Sequence, residues 1–206
     1  MIKNVIFDIG NVLVDFDWEG HMRRICPHLN ENDFYEINIA AWGENRWDKF
    51  DLGEDSESVI SEMISHAPKY EKEIKSLFGN FRGCFRKLDS SIGWIKDLKT
   101  RGYKVYYLSN YSYLAMKANP ECLDFVPLMD GGIFSCDVHV IKPDKRIYEL
   151  LCEKYDLNPE ECVFIDDLER NVEGARKFGI KAIQLVSVKQ AQQDLNNLLQ
   201  EENKNA

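Results

Sequence analysis

Short apolar runs that end in acidic residues stand out near both ends of the chain. Residues 5–7 lead directly into Asp8. Residues 163–165 lead in the same way into the adjacent pair Asp166 and Asp167. A run of this length that is apolar throughout is typical of a strand that a parallel sheet buries on both faces. The pattern therefore predicts buried strands that end in carboxylates.

A third apolar run ends in a hydroxyl and an amide instead of acids. Residues 105–108 lead into Ser109 and Asn110. If the three runs form neighbouring parallel strands, their polar ends meet at one edge of the sheet, where open α/β sheets bind ligands. Clustered carboxylates repel one another, and a hard divalent cation, commonly Mg²⁺ where the substrate carries phosphate, compensates that repulsion. We therefore expect an acidic pocket that binds Mg²⁺.

Residues 15–84 show only the apolar spacing of helices. Pro27, Gly43, Gly53 and Pro68 divide this region into short segments. The predicted helices cover residues 18–26, 31–42, 44–52, 56–67 and 70–78. No convincing strand is predicted between them, so we expect an all-helical unit here.

From residue 88 onward, strand patterns and helix patterns alternate. The predicted strands cover residues 104–108, 133–136, 162–165 and 181–185, and the predicted helices cover residues 92–100, 144–155, 169–178 and 188–199, with one more near residue 113. Alternation of this kind implies right-handed crossovers and a mostly parallel sheet.

The predicted fold class is α/β, with a Rossmann-like, mostly parallel sheet flanked by helices and an inserted small all-helical cap. The first strand must join the sheet from across the helical region. We therefore expect residues 1–14 and 85–206 to form the α/β core. Residues 15–84 are expected to form the cap over the carboxyl edge of the sheet.

Composition narrows the range of partners and compartments. The 206 residues, 44% of them hydrophobic, suffice for a full core, and the formal net charge of −9 argues against nucleic acid. The six cysteines show no CxxC spacing and are expected to be reduced thiols. We expect no signal peptide and no membrane span, since no apolar stretch approaches about 18 residues. These features predict a cytoplasmic protein with no membrane partner, either a monomer or a weak homodimer.

Asp8, at the tip of a predicted buried strand, is placed to act as a nucleophile. A carboxylate there can attack phosphorus in line and form an acyl phosphate, which divides one difficult displacement into two easier ones. Gly10 allows the backbone to approach the site closely, and its carbonyl oxygen can serve as a metal ligand. The structural alternative is that Asp8 only caps the following turn and that Gly10 only permits it.

Further residues carry chemistry if they lie at the same edge. Ser109 can donate to a phosphate oxygen, although a serine after a strand is also an ordinary turn opening. Lys142, followed by a proline, can neutralise charge on the nucleophile and on the phosphoryl group, although a lysine before a helix is commonly a surface residue. The adjacent acids Asp166 and Asp167 cost energy unless water or a cation compensates. Asn171, in the next predicted helix, could orient Asp167 or Lys142.

Together these segments resemble the haloacid dehalogenase superfamily of hydrolases, in the expected order from residue 2 to about residue 185. The resemblance implies a phosphatase that hydrolyses a small phosphorylated metabolite, such as a sugar phosphate, through an aspartyl-phosphate intermediate. The helical region corresponds to the small cap of that family. The implied roles are catalysis by Asp8, Ser109 and Lys142, substrate binding by Ser109, Asn110 and Lys142, and Mg²⁺ binding by Asp8, Gly10, Asp166 and Asp167.

Two stretches narrow the resemblance within the superfamily. Residues 7–15 read FDIGNVLVD, and residues 164–175 fit the pattern FIDDxxxNxxGA. Both are similar to a bacterial branch that includes an α-D-glucose-1-phosphate phosphatase. That branch is therefore the specific expectation.

Gly10 departs from the pattern of most phosphatases of the superfamily. They carry at this position a second aspartate that protonates the leaving group and later activates water. Such general acid help is typically worth about 10²- to 10⁴-fold. Without it, we expect rates to depend steeply on the leaving group, with sugar 1-phosphates and aryl phosphates ahead of sugar 6-phosphates. The candidates to replace the donor are Asp15, Asp17 and Glu44.

Two alternatives remain open at this point. Dehalogenation of 2-haloacids uses the same fold and an aspartate nucleophile without metal, and the pair Asp166 and Asp167 argues against it. A non-catalytic protein that binds a phosphorylated metabolite is the other alternative. Retention of Asp8, Ser109 and Lys142 argues against that one.

Overall fold

The strands of the protein form a five-stranded sheet and a separate two-stranded ribbon. The computed structural model describes residues 1–204. The strands are β1 (Asn4–Phe7), β2 (Val14–Phe16), β3 (Phe85–Lys87), β4 (Lys104–Ser109), β5 (Gly131–Phe134), β6 (Cys162–Asp166) and β7 (Lys181–Gln184).

Helices lie in every strand connection from β2 onward, and the longest of these connections joins β2 to β3. The α-helices are α1 (Trp18–Ile25), α2 (Glu31–Trp42), α3 (Arg46–Asp51), α4 (Ser56–His66), α5 (Glu71–Gly79), α6 (Ser90–Thr100), α7 (Tyr113–Ala118), α8 (Ser135–Val138), α9 (Lys145–Tyr155), α10 (Glu169–Phe178) and α11 (Val188–Lys204). Short 3₁₀ helices cover Gly43–Asn45, Pro68–Tyr70, Phe81–Cys84, Pro120–Leu123, Val126–Leu128 and Pro159–Glu161.

β1 occupies the centre of the five-stranded sheet, whose order is β5-β4-β1-β6-β7. Every neighbouring pair in it is parallel. Phe7 is level with Tyr107 of β4 and with Ile165 of β6. The three apolar runs are therefore neighbours, and the polar residues that follow them reach the same edge. The predicted α/β fold with its parallel sheet is confirmed.

Both faces of the sheet are covered, which explains why its strands are apolar throughout. From one face of β1, Phe7 packs edge-on against Trp94 of α6, with ring centroids 4.8 Å apart. Ile6 points to the opposite face and shares a buried cluster with Tyr148 of α9 and Ala175 of α10. Alternate residues of one strand thus anchor helices on opposite sides.

The helices α1 to α5 form the predicted helical region, and their buried side chains continue the core of the sheet. This cluster includes Met22, Phe34, Phe50, Met63 and Leu77. The helical character of the region is confirmed. Its description as a cap domain bounded at residues 15 and 84 stays a prediction.

The prediction of no strand after residue 14 was wrong for Asp15 and Phe16, which belong to β2. β2 pairs antiparallel with β3, and the rings of Phe16 and Phe85 lie 4.9 Å apart. The partner strand follows about 70 residues later, so no local pattern marks the pairing. This ribbon joins the two ends of the helical region.

The strand predicted at residues 133–136 lies two residues earlier. β5 begins at Gly131, and Ser135 already belongs to α8. Two adjacent glycines favour a turn when read locally. Here Gly132 lies in the strand because its missing side chain leaves room for the ring of Tyr107.

The cysteines lie in the interior of the protein. All six cysteines are buried free thiols. Within residues 1–204, no helix combines the length and the apolar composition needed to cross a membrane.

Gly132→Ala should destabilise the fold. An added Cβ would overlap the ring and the backbone carbonyl of Tyr107, and the carbonyl cannot move without disturbing the pairing of β4 with β5. We expect a loss of about 1–3 kcal/mol in the free energy of unfolding, measured by urea denaturation. Gly93→Ala in α6 is the control, since its Cβ meets nothing within 4 Å. The control should gain up to about 1 kcal/mol, and equal effects of the two variants would contradict the argument.

Candidate active site

Asp8 lies directly after β1, in the middle of the carboxyl edge of the sheet. Its backbone N–H donates to the carbonyl oxygen of Ile165 at 2.8 Å, which extends the pairing of β1 with β6 by one residue. Its side chain is 10% exposed. The sheet therefore fixes this carboxylate in a nearly dry position between two strand ends.

Lys142 places its ammonium group between two carboxylates. Its Nζ lies 2.7 Å from Oδ1 of Asp8 and 2.7 Å from Oδ2 of Asp166. Burial lowers the pKa of Lys142, but both carboxylates raise it, and the net shift is upward. The lysine therefore remains charged, and it is buried at the site instead of lying on the surface.

Asn110 holds the backbone of Lys142 in place. Its Nδ2 donates to the carbonyl oxygen of Lys142 at 3.1 Å, and the backbone N–H of Lys142 donates to its Oδ1 at 2.8 Å. Both ends of the amide are thus engaged with the lysine. Substrate binding by Asn110 stays a prediction.

Asp166 is completely buried, and both of its oxygens accept hydrogen bonds. Oδ1 accepts from the backbone N–H of Leu168 at 2.8 Å, and Nδ2 of Asn171 lies 3.0 and 3.1 Å from the two oxygens. Asn171 therefore orients Asp166, whereas the sequence pointed to Asp167 or Lys142. Such a network holds the Asp166 carboxylate in one orientation.

Asp167 is less constrained, and it completes an acidic cluster. Its Oδ2 accepts a hydrogen bond from Nδ2 of Asn11 at 3.4 Å. Oxygens of Asp8, Asp166 and Asp167 lie within 4.8 Å of one another. Three carboxylates and one lysine leave an excess of negative charge, and their oxygens are the ligands that Mg²⁺ prefers. The residues present therefore fit Mg²⁺, while the part of the Gly10 carbonyl stays a prediction.

Asn11 was not singled out from the sequence. Its φ is 55°, and its Oδ1 accepts from the backbone N–H of Phe16 at 3.1 Å. It therefore shapes the loop between Asp8 and β2. A glycine followed by an asparagine is a turn signal that could have identified it.

Ser109 ends β4 beside Asp8 and is fully buried. Among the residues that the structure describes, its Oγ has no hydrogen-bond partner. An unpaired buried hydroxyl costs about 1–3 kcal/mol. The unpaired Oγ of Ser109 therefore favours a ligand that accepts its hydrogen bond. A phosphate oxygen is an acceptor of the expected kind.

A cavity of about 80 Å³ opens beside Gly10, between the sheet edge and the helical region. Its polar lining comes from Asp51, Asn110, Tyr111 and Ser112 together with the backbone at Gly10. The apolar lining consists of Phe16, Trp47, Phe81, Phe85 and Ala115. The sequence did not single out Asp51, because an acid at the end of a helix gives no local sign of burial.

The three acids suggested as replacement proton donors are engaged elsewhere or exposed. Asp15 is paired with Arg86 at 2.8 Å. Asp17 accepts from the backbone N–H of Gly20 at 2.7 Å and so caps α1. Glu44 is 82% exposed. None of the three lines the cavity as the structure describes it.

Burial dominates the electrostatics of both acids at the site. It raises the pKa of Asp8 to about 7, opposed by the ammonium group of Lys142. It raises the pKa of Asp51 to about 8, with further increases from Asp48 and Asp8. Perturbed acids in a cleft are typical of functional sites.

The carboxyl edge of a parallel α/β sheet thus presents a lysine-paired aspartate beside two more carboxylates. The model of the haloacid dehalogenase-like hydrolase family matches residues 2–179, and the chain belongs to that family. The family assignment made from the motifs is therefore confirmed.

Several relatives are phosphatases by name. Phosphatase MT3486 of Mycobacterium tuberculosis is 30% identical over 190 residues, which cover 88% of this chain and 86% of that protein. D-ribitol-5-phosphate phosphatase of Bacteroides thetaiotaomicron is 25% identical and is covered to 92%, with 89% of this chain matched. Acyl-CoA dehydrogenase family member 10 of Mus musculus is 26% identical over 96% of this chain, which spans only 19% of that protein.

Solved structures share the fold. A HAD family enzyme of Bacteroides thetaiotaomicron, bt-2542, in complex with magnesium and inorganic phosphate, superposes with a TM-score of 0.69. The two sequences are 20% identical, and the match covers 89% of this chain and 94% of that one. At this identity the likeness establishes the fold alone.

Asp8→Asn should change how stability depends on pH in the metal-free protein. Because folding raises the pKa of Asp8 to about 7, the folded wild type binds more protons than the unfolded chain below that pH. Its stability therefore falls as pH rises from about 4 to about 7. Asparagine does not titrate, so the unfolding free energy of the variant should rise relative to that of the wild type between about pH 4 and about pH 7.

Urea denaturation in the presence of a chelator measures this difference. Asp97→Asn, which removes an exposed carboxylate from α6, is the matched control and should show little shift. A stability difference between Asp8→Asn and wild type that stays constant over the range would contradict the assignment of the titration to Asp8.

Proposed function

We propose that this protein is a Mg²⁺-dependent phosphomonoesterase that acts on a small sugar phosphate through phosphorylated Asp8. The observation that carries the proposal is the position of Asp8. It is buried at the sheet edge, 2.7 Å from the ammonium group of Lys142, within a cluster of three carboxylates. A structural turn cap requires neither a buried counter-charge nor two more acids beside it.

In the first proposed step, a carboxylate oxygen of Asp8 attacks phosphorus, and the bond from phosphorus to the leaving oxygen breaks. Lys142 keeps positive charge beside the nucleophile and the phosphoryl group. The unpaired hydroxyl of Ser109 donates to a phosphoryl oxygen. In the second step, water attacks phosphorus and releases the Asp8 carboxylate together with inorganic phosphate.

Asp8, Asp167 and the carbonyl oxygen of Gly10 are the groups that we propose to hold Mg²⁺. Asp166 would take part directly or through water, because its oxygens already accept several protein hydrogen bonds. When bound, Mg²⁺ stabilises negative charge on the phosphoryl oxygens and lowers the pKa of nearby acids. Asp8 would then be ionised at neutral pH.

The α-D-glucose-1-phosphate phosphatase branch supplies the specific substrate proposal. Residues 7–15 and 164–175 carry the resemblance. The cavity at Gly10 is small, and Phe16, Trp47 and Phe85 supply much of its wall. Aromatic walls with a few polar groups suit a small ring better than a phosphorylated protein segment.

Hydrolysis of an aryl phosphate is the test of the reaction class. We expect turnover with Mg²⁺, loss of turnover in excess chelator, and recovery when Mg²⁺ is restored. Asp8→Asn should remain folded but lose all but a small percentage of turnover, because an amide cannot form the phosphoenzyme. Acid-quenched labelling should place the phosphoryl group on Asp8. Full activity in chelator would contradict the dependence on Mg²⁺, and absence of turnover under every condition would favour the dehalogenase alternative or a binding protein.

A screen of phosphorylated metabolites tests the substrate class. We expect α-D-glucose 1-phosphate or a close relative to rank near the top by phosphate release per enzyme. A peptide that contains phosphoserine is the matched comparison, because it offers the same bond on a chain too large for the cavity. Peptides that outperform every sugar phosphate would contradict the proposed substrate class.

A further inference from the structure

Cleavage of an alkyl phosphate needs a proton donor that the loop after Asp8 does not supply. The departing oxygen leaves with an electron pair, and an unprotonated alkoxide is a poor leaving group. Gly10 has no side chain, and a Cβ placed there would meet nothing within 4 Å. The space beside Gly10 is therefore open, and a donor must reach it from elsewhere.

Asp51 lines the same cavity as Gly10. It is the last residue of α3, and it is the only carboxylic acid among the described residues that line the space beside Gly10. Its side chain makes no hydrogen bond with any residue that the structure describes, although the residue is only 8% exposed. A buried carboxyl group with a free polar end facing a cavity is available to a ligand.

The end of α3 is fixed to the α/β core, which gives Asp51 a defined position. The hydroxyl of Ser135 donates to the backbone carbonyl of Asp51 at 2.6 Å. The ring of His139 contacts the carbonyl of Leu52 at 2.8 Å through Nδ1. Gly53 packs closely against the segment that contains Cys136. Three consecutive residues of the helix end thus contact the core beside the site.

Burial is the main reason why the protonated form of Asp51 is favoured. Asp8 and Asp48 raise its pKa, whereas Lys142 and Arg170 lower it by less than burial raises it. With a pKa of about 8, the carboxyl group retains its proton at neutral pH. Tyr111 also lines the cavity, but burial raises its pKa far above neutrality, so it is a poor donor.

We propose that Asp51 is the general acid of the first step and the general base of the second. This role rests on the proposed phosphatase function. As Asp8 attacks and the phosphorus–oxygen bond breaks, the leaving oxygen takes the proton of the Asp51 carboxyl group and departs as an alcohol. The Asp51 carboxylate then removes a proton from water, whose oxygen attacks phosphorus. Asp8 is released as a carboxylate, phosphate departs, and Asp51 is protonated again.

Asp51→Asn tests the role through its dependence on the leaving group. Propyl phosphate and p-nitrophenyl phosphate are suitable probes, because neither carries sugar hydroxyls. We expect kcat/KM for propyl phosphate to fall by about 10²- to 10⁴-fold, and kcat/KM for p-nitrophenyl phosphate to fall by less than about tenfold. The nitrophenolate needs no proton to leave.

The second step provides an independent readout. Without a base to activate water, phosphorylated Asp8 should accumulate in Asp51→Asn. Mixing with p-nitrophenyl phosphate should therefore release a burst close to one equivalent of nitrophenol before a slow steady state. Mass spectrometry of the quenched protein should find the phosphoryl group on Asp8.

Two further variants complete the test. Asp97→Asn removes an exposed acid from α6 that does not line the cavity, and it should leave the ratio of the two kcat/KM values unchanged. Gly10→Asp combined with Asp51→Asn should recover propyl phosphate hydrolysis, since the added side chain has open space.

The outcomes separate this inference from the proposed function. The role of Asp51 alone would be overturned by one combination of results. In it, the wild type hydrolyses both esters, whereas Asp51→Asn loses activity toward both equally and shows no burst. Loss that appears only with substrates bearing sugar hydroxyls would also overturn it, because it would indicate a binding contact. Wild type without Mg²⁺-dependent turnover of either ester would overturn the proposed function itself.

Discussion

Lys142 brings a positive charge into the interior, where 1% of its side chain is exposed, and holds it 2.7 Å from both Asp8 and Asp166. Removing one partner of such a buried set leaves an uncompensated charge, which commonly costs about 3–5 kcal/mol. The arrangement therefore ties three segments together. Asn110 fixes the lysine backbone, and Asn171 fixes Asp166, so each charged group has a neighbour that sets its direction.

The same interaction accounts for the chemistry. One ammonium group balances one of three carboxylates, and the residual negative charge calls for a cation with oxygen ligands. Asp167 is the least constrained acid of the cluster, whereas Asp166 is saturated with donors. These adjacent residues thus have different environments. That of Asp167 suits metal binding, and that of Asp166 suits the ion pair with Lys142.

Much of this site could be predicted from the sequence because its parts end strands. An apolar run marks a buried strand, and parallel pairing carries the following residue to a common edge, so Asp8, Ser109 and Asp166 were identifiable. The lysine was identifiable only by resemblance, since nothing local indicates that Lys142 is buried. The partner of Asn171 was predicted wrongly, because residues in one helix turn can reach several acids and only packing selects among them.

Pairings between distant segments set the limit of prediction for the fold as well. β2 and β3 are three residues long and lie about 70 residues apart, so neither carries a pattern of its own. In β5, Gly132 forms a strand because the ring of Tyr107 occupies the space that a side chain would need. Asp51 could not be identified from the sequence for the same reason. Its importance comes from the cavity on which α3 ends and from the charges across that cavity.

A proton donor on α3 has a consequence that a donor on the nucleophile loop would not have. An acid at position 10 would stay near Asp8 even if the helical region moved away from the core. Asp51 is beside the site only while Ser135 and His139 hold the end of α3 against the core. The helix that carries the acid also supplies Trp47 to the apolar wall of the cavity. Docking of α3 would therefore supply the proton and exclude bulk water in the same event, which limits catalysis to substrates small enough to be enclosed.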